Sequence, residues 1–380
     1  LFVLSFVYVV PAEDAVILYE YAKNLAKTGL ITYGGSEIPI EGATDFLWMV
    51  VIAALKAIGI NEFASSLVLN FLGLALVASF FRNPIEKVLV GAAFLLTPFL
   101  YSSFSGFSTI SFSAVYIISI KLLFDKSKYL YISLLVLCLV RPDGVVWGAG
   151  VVLIRIFQVE NSEELKIEIS RCFGWLIVPG LLYFASRYWY FGELLPLPFL
   201  VKSSGPASFF IFHLGSLAAI SVVLLPVIFT LGALIKSKEE AIRILILFLM
   251  PVLFYAVMRL DQNIGNRFLA PMFFAGLYIF SRFYGTRAIA IFVSLSAFTM
   301  LNLTVNTADS VVSSSRENIY YISKDLKELQ GRMLITEAGR LTYYSDWFSE
   351  DSWGLNTPRF AHNLITVEDV EAGDYDLIVG

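Results

Sequence analysis

The sequence predicts an all-α polytopic membrane bundle, about 11–13 transmembrane helices in the full protein, with a small, truncated C-terminal extracytoplasmic α/β domain. Three observations predict it. Of the 380 residues, 58% are hydrophobic and only 15% charged, with a mean hydropathy of +0.75, against ~45–50% and ~25% in soluble domains. Apolar runs of spanning or nearly spanning length recur between residues 45 and 303. Beyond residue 303 the composition changes: Thr304–Gly380 carries 6 Lys and Arg against 13 Asp and Glu, which leaves 21 and 18 for residues 1–303. The chain thus divides into a membrane domain, 1–303, and an acidic domain, 304–380.

This composition excludes an ordinary cytosolic enzyme and a disordered chain. A net charge of −4 provides no basic stripe for nucleic acid. Cys138 lies in an apolar run and Cys172 beside Arg171, so no extracytoplasmic disulfide is expected. His213 and His362 are far apart and there is no CxxC, so a His/Cys metal centre is not expected either. The sequence contains no Walker loop, GxGxxG or GxSxG, which argues against nucleotide-driven pumping and serine hydrolysis.

The first apolar run, Leu1–Val10, falls short of the ~20 residues that span a bilayer and reads as the second half of a transmembrane helix. Further runs lie at 45–60, 63–81, 87–104, 109–124, 129–140, 144–157, 172–190, 214–236, 241–258, 268–282 and 286–303. Lys and Arg in short loops mark Asp125–Lys128, Lys236–Lys238 and Arg282–Arg287 as cytoplasmic. Alternation then places Arg141–Gly144, Gly192–Gly215, Asp261–Arg267 and the tail together outside. The loop 11–44 joins them only if an odd number of passages separates it from Arg82–Lys87, whereas two apolar runs lie there. Either 45–81 hides a re-entrant segment or one of these runs is not a span.

Within the loop 11–44, Leu18, Tyr21, Ala22 and Leu25 recur at helical spacing, and Gly29 can cap the helix C-terminus. An amphipathic helix lying along the membrane surface is expected there. Gly34-Gly35 marks a turn. The tail opens with a Ser-rich linker and a helix around Arg316–Gln330. Arg332–Thr336 reads as a strand, Gly339–Tyr344 as a short helix and Asp376–Val379 as a strand that stops abruptly.

Few residues can carry chemistry. Glu13-Asp14, two carboxylates beside a membrane segment, can hold a general base against an acceptor hydroxyl, or simply cap a helix N-terminus. Arg141-Pro142-Asp143-Gly144 interrupts a long apolar stretch; charges at such depth pair or line a cavity, unless the segment is a solvated turn. Arg267, ending the polar segment Asp261–Arg267, offers a planar fork for phosphate or an interfacial anchor. The aromatic stretch after Arg187 reads as a membrane belt, with Lys202 able to assist at a phosphate.

The order of these segments resembles the GT-C superfamily of polyprenyl-phosphate-sugar-dependent membrane glycosyltransferases, and is similar to the mycobacterial terminal arabinofuranosyltransferase family. The likeness rests on Glu13-Asp14-Ala15, Tyr21–Leu25, Glu41–Trp48, Arg141–Gly144, Tyr190–Pro196 with Lys202, Arg267–Pro271, Glu337–Tyr344 and Asp351–Asn356. Glu13 stands where that family has Asp, and Ala43-Thr44-Asp45 replaces Tyr-Thr-Asn, so arabinose is not carried over.

The resemblance implies transfer of a sugar from a polyprenyl-phosphate donor to a hydroxyl of a glycan, lipid or protein on the outer face of the plasma membrane. Asp14 is then the expected base, with Glu13 as helper. Arg267, followed by Lys202 and Arg141, is expected to hold the donor phosphate. Glu41, Asp143, Asp261 and Asn266 are expected to line the substrate cavity. A base without a protein nucleophile gives inversion. Arg and Lys alone can stabilise the leaving phosphate, so no cofactor or metal is expected, although a divalent cation stays compatible with the scheme. The alternatives are a transporter or flippase of lipid-linked sugars, which calls for internal hydropathy repeats not evident here, and a non-catalytic subunit of an envelope-assembly complex.

Overall fold

The computed structural model describes residues 10–203, 213–234, 238–258, 260, 263–314, 319–363 and 365–380. The described chain is predominantly helical and ends in a small three-stranded sheet. By packing it divides into two units, Leu1–Ser66 with Leu182–Ser208 and Val311–Gly380, and Leu67–Leu181 with Phe209–Ser310. This is not the division by charge at residue 303. The tail has too few apolar residues for a core of its own, and it packs with the equally polar loop 11–44.

In the first unit, α1 (Glu13–Thr28) forms as its apolar spacing requires and stops where Gly29 turns left-handed, φ 77°, its N–H bonded to the Leu25 carbonyl at 3.0 Å. Ala15, Val16, Leu18, Tyr19, Tyr21 and Ala22 are all buried. The expectation of a helix resting on lipid is corrected here. The apolar face of α1 is covered by the chain itself, by α2 (Phe46–Ala57) and by α16 (Arg340–Ser345) of the tail. Helical periodicity defines a face but not what covers it.

The tail supplies α15 (Ile319–Leu329), β1 (Arg332–Ile335), α16, β2 (Phe348–Asp351), α17 (Pro358–His362), α18 (Val367–Ala372) and β3 (Leu377–Val379). The sheet order is β2-β1-β3 and both pairings are parallel, with Met333 opposite Ser349 and Leu377. Parallel neighbours need crossover connections, which α16 and the α17–α18 pair provide. β2 was not expected, because Phe348-Ser349-Glu350-Asp351 is too short and polar to read as a strand. Loop 11–44 docks against it: the Gly34 carbonyl accepts the Ser349 N–H at 2.9 Å. The Tyr33 hydroxyl donates to the Ala338 carbonyl at 2.5 Å. The Tyr21 hydroxyl donates to Asn356 Oδ1 and accepts the Gly42 N–H, both at 3.0 Å.

The second unit contains most of α3 (Glu62–Ser79), then α4 (Pro84–Leu95), α5 (Phe99–Phe104), α6 (Thr109–Phe124), α7 (Leu130–Val140) and α8 (Gly144–Phe157). The first part of α9 (Ser162–Phe191), α11 (Leu214–Leu234), α12 (Lys238–Val257), α13 (Ala270–Tyr284) and most of α14 (Thr286–Ser314) complete it. α10 (Leu197–Ser203) belongs to the first unit. α14 continues through residues expected to be linker, because a helix, once nucleated, carries over polar residues. α13 is the core helix, with every residue from Ala270 to Phe280 buried. It packs on α6, and α12 packs on α8.

Among the described residues, four helices are long and apolar enough to cross a membrane, namely α3, α9, α11 and α14. Only 6% of the apolar window of α9 is buried, and Trp175, Leu181, Leu182 and Trp189 are exposed along it. An apolar helical stretch left uncovered suits hydrocarbon better than water, so the chain is compatible with a membrane protein. The run at 45–60 becomes α2, 12 residues and thus ~18 Å long, well short of the ~30 Å hydrocarbon core. The run Leu1–Val10, apart from Val10, falls outside the described residues.

A Cβ on Gly42 would stand 2.1 Å from Asn356 Oδ1 and 2.4 Å from the Tyr21 hydroxyl oxygen. Gly42→Ala is expected to destabilise the first unit by about 1–3 kcal/mol through overpacking. Thermal unfolding in detergent checks this against Gly91→Ala, where the added Cβ meets nothing within 4 Å.

Candidate functional site

The acidic pair opens α1. Glu13 is committed to the tail. Its Oε1 accepts the backbone N–H of Gly339 at 2.5 Å and of Arg340 at 2.9 Å. The Arg340 guanidinium stands 3.6 Å from Oε2 and donates to the Pro11 carbonyl at 3.1 Å. Burial pushes the Glu13 carboxyl above its ordinary pKa, and the two backbone donors pull it back only in part. Asp14 is half-buried at the next position of the same turn. Expected as a helper to Asp14, Glu13 instead has its oxygens occupied in holding the tail to α1.

Glu41 is buried and ion-paired with buried Arg187 of α9. Arg187 also donates to the Leu194 carbonyl at 3.0 Å, and the Glu41 carbonyl accepts the Leu197 N–H at 3.1 Å. The pair therefore closes the loop Tyr190–Pro196 back on Glu41. One nitrogen of Arg187, Nη2, and one oxygen of Glu41, Oε2, are buried without a hydrogen-bond partner. Burial raises the Glu41 carboxyl, with Arg187 opposing. The backbone of Lys202 lies in α10, and its side chain falls outside the described residues. His362 meets Glu193 at 2.8 Å, a further tether of this loop.

Sequence reasoning passed over Arg187 as part of a membrane belt. It also passed over Glu62, which is fully buried, 3.1 Å from Lys56 Nζ and accepts the Tyr343 hydroxyl at 2.9 Å. The signal available for both was a charge beside an apolar run.

In the second unit Arg141 and Asp143 form a two-pronged pair, Nε to Oδ1 at 3.0 Å and Nη2 to Oδ2 at 2.7 Å. The guanidinium lies 4.7 Å from the Phe112 ring centre and 4.9 Å from that of Phe268. The Tyr255 hydroxyl donates to Asp143 and receives the Trp147 indole N–H at 3.3 Å. Of the two readings left open for Arg141–Gly144, the structure selects the buried pair over the solvated turn. The fork expected to hold phosphate is already closed by a carboxylate.

Arg267 lies over the Phe107 ring, 3.5 Å from its centre, and is half-buried. It follows Gly265 and Asn266, which adopt left-handed backbone at φ 61° and 57°. Gly265 has no alternative, since a Cβ there would stand 2.7 Å from the Pro98 carbonyl oxygen. Asn266, expected to line a cavity, is 2% exposed and its amide bridges Asn263 and the Ala219 carbonyl, both at 2.8 Å. It is a brace that fixes the turn presenting Arg267. Asp261 lies outside the described residues.

The tail motif Asp351–Asn356 is a closed polar loop. Asp351 accepts the N–H of Trp353 at 2.9 Å and the N–H and side-chain amide of Asn356 at 3.1 and 3.0 Å. Burial pushes its pKa up to about 6 all the same. Both cysteines are free thiols, and no group of three or more His, Cys, Asp or Glu among the described residues is placed to hold a metal. Comparison of the chain with family models, with curated proteins and with solved structures returned no match.

Two outcomes are expected. Removing one member of the buried pair, by Glu41→Leu or Arg187→Met, leaves an uncompensated charge and costs about 3–5 kcal/mol, while the double variant costs less than the sum. Unfolding midpoints of the four proteins check this cycle. For Asp351 the folded pKa lies above the ordinary 3.8, so the native state retains a proton that the unfolded chain releases. Stability therefore falls as pH rises from about 4 to about 6, by up to about 3 kcal/mol, and levels off above. Melting temperatures across that window are expected to lose this component in Asp351→Asn.

Proposed function

We propose that the chain is an integral-membrane glycosyltransferase that moves a sugar from a polyprenyl-phosphate donor to a hydroxyl acceptor on the outer face of the membrane, with inversion. The observation that carries this reading is the anchoring of the acidic pair at the start of α1. Glu13 is bound by backbone donors of the tail, while Asp14, half-exposed on the same turn, is the carboxylate assigned as general base. Building a helix start around one acid fixes the position of its neighbour, and a base must be held in place to work.

The remaining roles follow the same logic. Arg267, set on a strained and braced turn, is the first cation for the departing phosphate. Arg141, its fork closed by Asp143, ranks behind it. Glu41 and Asn266 shape their surroundings through the contacts already described. Four helices long and apolar enough to span, among the described residues, and the uncovered apolar surface of α9 support the membrane assignment. The short α2 supports the sidedness as well. With α3 as the single passage between the loop 11–44 and Arg82–Lys87, that loop joins the outer segments, as the charge pattern of the other loops requires.

Asp14→Asn is expected to lower sugar transfer from a polyprenyl-phosphate donor by about 10²–10⁴-fold without loss of folding or membrane insertion. Radiolabel transfer by purified protein, with melting temperature as the control, measures both. Full activity in that variant removes the assignment of Asp14. A wild-type protein that turns over no such donor, yet copurifies with another enzyme, belongs instead to an assembly complex.

A further inference from the structure

At the end of α7 and α8 remote from the Arg141–Asp143 turn, the second unit encloses an open cavity of about 640 Å³. That volume lies within the range of small-molecule sites, ~300–1,000 Å³. Its polar lining is mostly cationic, with Lys126, Arg243 and Arg282 against the single acid Glu160. Its walls are the rings of Phe124, Phe157 and Phe283, and buried Ile244 and Leu247 also line it.

The cations come from separate elements and are positioned by the fold. Lys126 sits in the turn after α6 at φ 48°, its N–H bonded to the Leu123 carbonyl at 3.1 Å. Arg282 comes from the last turn of α13, with its guanidinium 5.5 Å from the Phe124 ring centre, and Arg243 comes from α12. Their internal ion pairs are loose and exposed: Lys126 stands 3.9 Å from Glu160 and Arg282 3.5 Å from Asp125, while Arg282 also bonds the hydroxyl of buried Tyr278. Exposed pairs of this kind are worth ~0–1 kcal/mol, so a doubly bonded phosphate can displace them.

We propose that this cavity binds the phosphate headgroup of an anionic membrane phospholipid. A lipid is favoured over a soluble phosphate because the cavity opens beside apolar surface. Phe157 is 72% exposed, and Ile242, Leu245 and Leu249 present an exposed apolar flank along α12 for acyl chains. Cations at a helix-end ring above such a flank are the arrangement that captures acidic headgroups. The site is distinct from the residues assigned to sugar transfer. It rests on the membrane reading alone, and the charge pattern puts it at the cytoplasmic end.

Native mass spectrometry of the full chain, delipidated and then titrated with phosphatidylglycerol or phosphatidylcholine, tests it. Phosphatidylglycerol is expected to form a one-to-one adduct that phosphatidylcholine does not, and to survive ~10 mM inorganic phosphate, since the acyl chains add to its hold. In Arg243→Gln/Arg282→Gln the affinity is expected to drop about 30-fold, and in Arg243→Lys/Arg282→Lys to be largely retained. Equal binding of the two lipids, or an unchanged affinity in the glutamine variant, overturns the proposal. Displacement by phosphate overturns the lipid as occupant. Because the wild-type lipid preference is read without any variant, a misfolded variant does not shelter the idea. Because no sugar is transferred, its failure leaves the transferase reading standing.

Discussion

The first unit depends on one carboxylate meeting two backbone N–H groups. Glu13 and the Gly339–Arg340 peptide are 326 and 327 residues apart, yet their contact joins α1 to the tail. Charge-assisted bonds of this type are about twice as strong as neutral ones, and here they satisfy donors at the start of α16 that would otherwise be buried unpaired. The same junction carries Tyr33 on Ala338 and Tyr21 on Asn356. Each is a hydroxyl or carboxylate paired with a group that neither segment could satisfy alone. Loop 11–44 and the tail are thus halves of one folded body. That explains how a tail rich in Asp and Glu acquires buried structure without a large apolar core of its own.

The second unit uses the same economy at one place in an apolar interior. Arg141, Asp143, Tyr255 and Trp147 form a closed chain of donors and acceptors between aromatic rings. Losing any member would strand the others in a low-dielectric setting, where unpaired charge costs most. A pair so fully satisfied holds α8 against α12 more than it offers an open cation. Arg267 is different in kind. It is presented by a turn whose left-handed backbone is fixed by Gly265 and by the Asn266 bridges, so its position is set by main chain.

What could be read in the sequence was local. The spacing of Leu18, Tyr21 and Ala22 and the stop at Gly29 located α1, and the apolar runs located the helices of the second unit, although α9 begins well before its run, α14 continues well past its own and the run 87–104 divides into α4 and α5. The pairing of Arg141 with Asp143 was also within reach, two residues apart. What could not be read was long-range. Tyr255 lies 112 residues from Asp143 in the middle of an apolar run, where nothing marks it as a hydrogen-bond donor. Arg187 and Glu41 are 146 residues apart, and each alone looks like an interfacial charge. β2 escaped notice because a four-residue strand takes its identity from its neighbours rather than from its own side chains.

α9 contains a π-turn at Phe173–Ile177, and it changes what the helix can do. Each such turn adds one residue to the 3.6-residue repeat, so every side chain beyond it is set back by about 100° around the axis relative to an unbroken α-helix of the same sequence. Single-residue deletion there would return the segment to plain α-helix and leave the following turns, Arg187 included, on the azimuth they already hold. The 30-residue helix is therefore a phase shifter. Its polar start and its aromatic end are free to address different surroundings, without the break in the hydrogen-bond ladder that a proline would impose.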